Sequence, residues 1–313
     1  MSHDYELIVI GSGPAGRRAA IQAAKLGKSV LVVEGRMRVG GVSVHTGTIP
    51  SKTLRETALN LSGWRERGFY GRSYRVKKEI GRADLNTRLG KTLDYEVDVL
   101  EHQFLRNGVH TMAGFARFAD PHTIIVTSPD GSEMTVTGAR FLIAVGTTPF
   151  RPDNVDFSDP DILDSDEIAE VPRLPRTLTV VGAGVIGIEY ATIFSALDVA
   201  VTVIEPRQTM LDFVDREIIE EFVHQLRDRG VRLQMGAAVA AVERAGNKVI
   251  ARLEDGRSVA SDMLLYCAGR IGATKALALE TCGIETDGRG RIAVDPDTFQ
   301  TCVPHIYAAG DVI

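Results

Sequence analysis

Leu7-Ile8-Val9-Ile10-Gly11-Ser12-Gly13-Pro14-Ala15-Gly16 decides the fold, because Leu178-Thr179-Val180-Val181-Gly182-Ala183-Gly184-Val185-Ile186-Gly187 repeats it. In both copies an apolar run of strand character meets glycines spaced Gly-x-Gly-x-x-Gly, and the next apolar run ends in an acid. Those acids, Glu34 and Glu205, each lie 23 residues beyond the first glycine of their motif, and residues 7–36 align with 178–207 without a gap at an offset of 171. The first glycine (Gly11, Gly182) permits a tight strand-to-helix turn, and the second (Gly13, Gly184) lets backbone approach a pyrophosphate with no Cβ in the way. The third (Gly16, Gly187) lets the helix pack closely on the strand. Pyrophosphate then rests on the helix N-terminus, where unpaired N–H groups and the helix dipole favour negative charge. The acid accepts hydrogen bonds from ribose hydroxyls. A single glycine turn has many uses, but strand, glycines, helix and acid recurring together imply two dinucleotide sites on one chain.

A length of 313 residues exceeds one usual core, so two domains are expected. The 44% hydrophobic and 25% charged content is that of a soluble globular protein. A net charge of −5 gives no reason to expect a nucleic-acid partner. No apolar run approaches the roughly 18 residues of a membrane span, so no membrane partner is expected. The N-terminal apolar stretch, flanked by Asp4 and Glu6, reads as a strand and not as a signal peptide. Cys267, Cys282 and Cys302 show neither CxxC spacing nor a metal-ligand cluster, so no metal site is expected. Together these features favour a cytoplasmic enzyme without structural disulfides or zinc.

The pattern predicts an α/β fold with two dinucleotide-binding domains, each a parallel sheet plus a small antiparallel β element. A helix over 15–26 stops at Gly27, a strand covers 29–34, and Pro50 marks the first turn of a helix through Lys52 and Ala58. The basic segment 71–82, with Arg72, Arg75, Lys77, Lys78 and Arg82, reads as a solvated loop and helix start. A helix over 92–107 leads to short strands, two of them joined as a hairpin by Ser128-Pro129-Asp130-Gly131. A buried strand at 141–145 stops at Gly146, and Pro152, Pro160, Pro172 and Pro175 crowd a polar connection that reads as the domain boundary. Beyond the second glycine turn, a helix near 215–229 precedes strands at 231–235, 238–244, 248–253 and 263–266, of which the last three look antiparallel.

Further motifs connect the two turns. These are Gly40-Gly41 followed by Thr48-Ile49-Pro50-Ser51-Lys52, Ala144-Val145-Gly146-Thr147, Glu189 on the second helix, Cys267-Ala268-Gly269-Arg270, and Ala309-Gly310-Asp311. With the two glycine turns they resemble the two-dinucleotide-binding flavoprotein reductases, the group of lipoamide dehydrogenase, glutathione reductase and the soluble pyridine nucleotide transhydrogenases. The resemblance implies two Rossmann-like domains, 1–150 completed by 280–313 for FAD and an inserted 151–279 for NAD or NADP. It assigns Gly11, Gly13, Pro14, Gly16, Glu34, Gly40, Gly41, Ser43, Gly114, Gly146, Arg270, Gly310 and Asp311 to FAD. Lys52 is implied beside the reactive flavin nitrogen, paired with Glu189. Gly182, Gly184, Val185, Ile186, Gly187, Glu189, Glu205, Arg207 and Gly269 are implied around the nicotinamide nucleotide. The full-length family member is expected to be a homodimer, held by a C-terminal interface domain to which nothing in this chain corresponds.

One departure redirects the expected chemistry. Disulfide reductases of the group carry a redox-active cysteine pair, four residues between them, ahead of the Pro-Ser-Lys turn; this sequence has Ser43 and Thr48 there. Hydroxyls cannot cycle through a disulfide, so electrons have no thiol route away from flavin. The threonine in Gly47-Thr48-Ile49-Pro50-Ser51-Lys52 is similar to the soluble transhydrogenases, which commonly keep the first cysteine where this chain has Ser43. The resemblance thus implies hydride transfer between NADPH and NAD through FAD. A diaphorase, quinone reductase or oxidase, and a non-catalytic FAD- or nucleotide-binding module, are the alternatives. Glu205 suits the 2′-hydroxyl of NAD and Arg207 the 2′-phosphate of NADP. His45 reads either as a proton-transfer group or as a loop histidine with a structural hydrogen bond.

Overall fold

A computed structural model describes residues 3–71, 73–170 and 172–313. In chain order, β1 (Leu7–Ile10), α1 (Pro14–Lys25), β2 (Val30–Glu34), α2 (Gly41–His45) and α3 (Thr48–Ser62) come first. A 3-10 turn at Trp64–Glu66, α4 (Arg67–Tyr70) and α5 (Arg82–Arg106) follow. Next are β3 (His110–Ala113), β4 (Phe115–Asp120), β5 (Thr123–Thr127), β6 (Glu133–Thr137) and β7 (Phe141–Ile143). The middle of the chain carries β8 (Thr147–Pro149), β9 (Ile162–Asp164), β10 (Thr177–Val181), α6 (Val185–Ala196), β11 (Ala200–Glu205) and α7 (Arg216–Asp228). Last in order are β12 (Arg232–Met235), β13 (Val239–Ala245), β14 (Lys248–Leu253), β15 (Ser258–Ser261), β16 (Met263–Tyr266), β17 (Arg270–Gly272) and β18 (Ile306–Ala308).

Backbone contacts divide the chain into two units, Met1–Thr48 with Leu93–Thr148 and Arg270–Ile313, and Ile49–Thr92 with Pro149–Gly269. The first contains a five-stranded sheet in the order β18-β7-β1-β2-β3, parallel throughout. The second contains β9-β16-β10-β11-β12, also parallel throughout. Strands covered on both faces read as continuous apolar runs, as in β2, where every residue is buried. The duplication extends to register. Leu7 pairs with Val30 and Leu178 with Val201, so the 171-residue offset holds across the strand pair. Each unit also has a three-stranded antiparallel sheet, β4-β5-β6 and β13-β14-β15. Alternate residues of these sheets fill the cores: Phe118, Ile124 and Val126 join Ile8, Leu31 and Phe141 in the first unit. Val242, Val249 and Leu253 join Val181, Ile204 and Leu264 in the second.

The expectations for residues 263–266, for the long helix before β3 and for the basic segment need correction. Residues 263–266 form β16, a central parallel strand between β10 and β9, because Met263, Leu264 and Leu265 are buried and the antiparallel sheet ends with β15. The helix expected over 92–107 starts ten residues earlier, at Arg82; Leu85 and Leu89 carry the buried stripe of Val97, Leu100 and Phe104 backwards past Gly90. The packing units are grouped by backbone contact and are not the nucleotide-binding ranges expected to divide at 150/151 and 279/280. Residues 49–92 group with the second unit, where Arg67 and Arg75 pair with Asp198. Residues 270–279 group with the first, where Thr274 donates to the Gly290 carbonyl at 2.8 Å and Leu277 and Leu279 enter the core. The basic segment is not simply solvated, since Arg75 is tied to Asp198 and Lys77 to Asp84; Arg72 lies outside the described residues.

Candidate nucleotide-binding sites

The two turns place equivalent atoms in equivalent contacts. Gly11 N–H donates to the Val33 carbonyl and Gly182 N–H to the Ile204 carbonyl, both at 2.8 Å. Gly11 and Gly182 have φ of +103° and +105°, and a Cβ on either would lie 2.3 Å from the Ala144 carbonyl oxygen or 2.6 Å from that of Cys267. A Cβ on Gly16 or Gly187 would lie 1.9 or 2.1 Å from the carbonyl oxygen of its own motif's first glycine. First and third glycines are therefore demanded by the protein's own backbone. The second is different: a Cβ on Gly13 or Gly184 would meet nothing within 4 Å. Both are extended N-caps of α1 and α6, and neither helix start has a side-chain cap. Open space above uncapped N–H groups is what an anion such as pyrophosphate fits. Pro14 and Val185, the first residues of the helices, are exposed; Ile186 is half-buried.

The acids are buried, and their partners differ. Glu34 accepts from the Ser12 amide at 3.0 Å, the Ser12 hydroxyl, and the Arg36 amide at 3.0 Å. The Ser12 hydroxyl also accepts from the Gly40 amide at 2.8 Å, tying the acid to the Gly40-Gly41 loop. Gly41 packs so closely that its Cβ would lie 2.8 Å from Gly13 Cα. Glu205 accepts from the Ala183 amide at 2.7 Å and from the Arg207 amide at 3.1 Å. The Arg207 guanidinium adds Nε to Oε1 at 2.8 Å and Nη2 to Oε2 at 3.2 Å. Burial pushes the Glu205 carboxyl up, but the Arg207 side chain and the two amides outweigh it and hold the group below the usual glutamate range. The Glu205 hydrogen bond in turn raises Arg207.

Lys52 of α3 forms an ion pair with Glu189 of α6; the lysine side chain is 59% exposed and the glutamate 18%. Beside Glu189, the Tyr190 hydroxyl is buried without a hydrogen-bond partner among the described residues, and burial followed by the Glu189 charge drives its pKa well up. Sequence reasoning missed this tyrosine because it reads as ordinary apolar filling of a helix buried almost all round. Ser12 and the closure of Arg207 onto Glu205 were also missed; the small residue between the first two glycines, Ser12 against Ala183, is the signal that the two acids need different side-chain donors.

The remaining candidate residues each have their own local setting. Gly114 N–H donates to the Glu34 carbonyl at 2.8 Å. A Cβ on Gly310 would come within 3.1 Å of Ala15 Cβ, so the exposed Asp311 follows a turn beside the start of α1. Gly146 and Gly269 each lie three residues beyond the ends of β7 and β16, at positive φ and with open space where a Cβ would stand. Arg270 is turned to Thr147, with Nε to Oγ1 and Nη2 to the carbonyl oxygen both at 2.8 Å. Ser43 Oγ donates to the Gly40 carbonyl at 3.2 Å. His45 Nε2 lies 3.0 Å from the Val39 carbonyl and 3.2 Å from that of Arg38, so that nitrogen carries the proton and the ring acts as a loop brace. Cys267, Cys282 and Cys302 form no disulfide among the described residues, and no described group of three His, Cys, Asp or Glu could hold a metal ion. No described helix is long and apolar enough to cross a membrane.

Paired parallel sheets, each ending in a glycine turn, an uncapped helix and a buried acid, define a doubled α/β protein of the dinucleotide-binding type. The chain belongs to the pyridine nucleotide-disulphide oxidoreductase family, which it matches over residues 5–313. It is 50% identical over 311 residues to a soluble pyridine nucleotide transhydrogenase of Mycobacterium tuberculosis (strain ATCC 25177 / H37Ra), covering 99% of this chain and 66% of the relative. The soluble pyridine nucleotide transhydrogenase of Escherichia coli O9:H4 (strain HS) is 39% identical over 312 residues, again over 66% of its length. The chain thus spans 66% of the length of these curated relatives, just under two thirds. Among solved structures, LpdA from Mycobacterium tuberculosis superposes with a TM-score of 0.88 at 29% identity, over 98% of this chain and 67% of that one. The HOCl-induced flavoprotein disulfide reductase RclA from Escherichia coli gives 0.86 at 27% identity, over 98% and 66%.

Proposed function

We propose that this protein is an FAD-dependent oxidoreductase that moves hydride between NADPH and NAD. The observation that carries the reading is the open second glycine of both turns, Gly13 and Gly184, above helix starts without side-chain caps. In this reading residues 1–150 with 280–313 hold FAD and 151–279 hold the nicotinamide nucleotide. The N-terminus of α1 takes the FAD pyrophosphate, Glu34 its ribose, and the Gly40-Gly41, Gly114, Gly146 and Gly310-Asp311 turns line the remainder, with Arg270 braced on Thr147. The N-terminus of α6, Val185, Ile186, Gly269 and Glu205 receive NAD or NADP. When bound, FAD supplies the chemistry of accepting a hydride from one nicotinamide and returning it to another. Lys52, held by Glu189, contributes positive charge where negative charge would develop. Ser43 and Thr48 leave no thiol exit for electrons, which favours return of the hydride to nicotinamide. The names of the relatives support this reading. A cytoplasmic setting, and a homodimer for a full-length chain, follow from the resemblance alone.

The test is anaerobic stopped flow on flavin-loaded protein. NADPH should bleach the flavin absorbance, and thio-NAD should restore it. Ready reoxidation by quinone or dioxygen with none by thio-NAD would turn the assignment to a diaphorase or oxidase. Failure to take up FAD at all would leave a nucleotide-binding module. Lys52→Ala is expected to slow reduction at least about tenfold, an effect of roughly 1.4 kcal/mol, with FAD still bound.

A further inference from the structure

Glu205 is fully subscribed. A carboxylate offers about four in-plane acceptor positions, and four N–H groups take them: the Ala183 amide and Arg207 Nη2 on Oε2, the Arg207 amide and Arg207 Nε on Oε1. A ribose hydroxyl approaching this acid finds no position to donate into while the guanidinium stays. The acid is nearly closed off, with a side chain 5% exposed, whereas the arginine side chain is 47% exposed. Nη1 of Arg207 reaches outward to the exposed Asp212 at 3.4 Å. The arginine can therefore leave through solvent without unpacking the core, and the two backbone amides stay on the carboxylate when it goes. In the first unit Glu34 takes a side-chain hydrogen bond from the Ser12 hydroxyl, which is locked in turn by the Gly40 amide.

We propose that Arg207 is an exchange latch that must release Glu205 before either nucleotide is seated, and that its new partner distinguishes the two. A 2′-hydroxyl donates to the carboxylate oxygen that the guanidinium vacates. A 2′-phosphate, repelled by Glu205, instead captures the freed guanidinium in a charge-assisted pair. One pocket thereby serves both nucleotides, at the cost of the same latch opening each time. The inference rests on the reading of the second turn as a nicotinamide-nucleotide site. It adds an opposite-sign consequence that a mere support for Glu205 lacks: removing the guanidinium favours one nucleotide and disfavours the other.

The experiment is calorimetric titration of FAD-saturated protein with ADP-ribose and with 2′-phospho-ADP-ribose, which are redox-inert. Arg207→Met, keeping the apolar stem, should weaken 2′-phospho-ADP-ribose at least about tenfold, as expected for a lost charge-assisted hydrogen bond, and tighten ADP-ribose severalfold. Arg207→Lys should keep most of the affinity for the 2′-phosphate and also tighten ADP-ribose, because an ammonium cannot bridge both Glu205 oxygens. Parallel weakening of both ligands in either variant, or no change in either, overturns the latch while leaving the nucleotide site intact. Gly184→Val, which fills the open space above the second turn, should abolish both titrations; binding that survives it, or no binding by the unmodified protein, overturns the site reading and the latch together.

Discussion

Gly11 and Gly13 are two residues apart and are glycine for different reasons. Gly11 combines φ of +103° with a Cβ position 2.3 Å from a backbone carbonyl oxygen, so Gly11→Ala must move β7 or the turn. Unfavourable φ alone costs about 1–3 kcal/mol, and the overlap adds to it, so urea unfolding should show a loss above roughly 3 kcal/mol. Gly13 has an ordinary φ of −61° and open surroundings, so Gly13→Ala should keep stability within about 1 kcal/mol, the scale of an N-cap change. The same protein should purify with little or no flavin absorbance, because the added methyl stands where the pyrophosphate lies in our reading. Equal stability losses in the two variants would remove the distinction. Only the residue types and their spacing were legible in the sequence. Which glycine answers to the fold and which to a ligand emerges from the distances.

At the scale of elements, the two copies diverge at the end of their first helix. After α1 the chain turns at Gly27, φ +76°; at the matching place after α6 stands Asp198, φ +63°. An L-residue there carries strain of about 1 kcal/mol, although aspartate tolerates it better than most. The reason is electrostatic. Asp198 accepts from both terminal nitrogens of Arg67, at 3.0 and 3.2 Å, and pairs with Arg75 at 2.6 Å. The Arg67 side chain is only 9% exposed, and its Cζ lies 4.8 Å from the Trp64 ring centroid. Leaving such a cation unpaired costs about 3 kcal/mol or more when fully buried, less here because Asp198 faces solvent. Asp198→Gly should therefore destabilise by roughly 1–3 kcal/mol despite relieving the turn, with Asp198→Asn intermediate; a gain in the urea midpoint for glycine would show that strain outweighs anchoring. Local pattern announced α1, α6 and their sheets because glycine punctuation and apolar periodicity lie within a few residues. It could not announce that the basic stretch ending at Arg82 is pinned by an acid more than a hundred residues away, nor that α5 runs through Gly90, where propensity argues for a break and buried leucines on either side override it.

At the scale of the whole molecule, the two units reach the same strand order by different connections. The fifth strand beside β7 is β18, from the far end of the chain, whereas the strand beside β16 is β9, which precedes the second glycine turn. The doubled fold was readable from the aligned motifs. The source of each outer strand was not, because parallel pairing is long-range and Ile162–Asp164 is a three-residue run with no local signature. Both units carry surface acids with lowered pKa values, Glu56, Asp84, Asp156 and Asp255 among them in the second. In the first, Asp4, Glu6, Asp130, Asp287 and Asp295 have lowered pKa values but lie in solvent, where such bonds contribute little. In the second, Asp262 joins the start of β10 to β16: it accepts from Lys248 Nζ at 2.6 Å and from the Arg176 and Thr177 amides at 3.0 Å. The lysine bond first, then the Thr177 contacts, overcome partial burial and bring the group to about 2 from 3.8. Because the folded value lies below the unfolded one, this contribution is complete above about pH 5 and disappears as pH falls through 4 towards 2. After screening it amounts to about 1–2 kcal/mol. Hydrogen exchange should therefore show β10 and β16 losing protection on going from pH 7 to pH 3 before β1 and β7 do. Asp262→Asn should lower urea stability at pH 7 and converge on the unmodified protein near pH 2–3. A gap that stays constant across that range would mean that the asparagine acts through packing and not through the titration of Asp262.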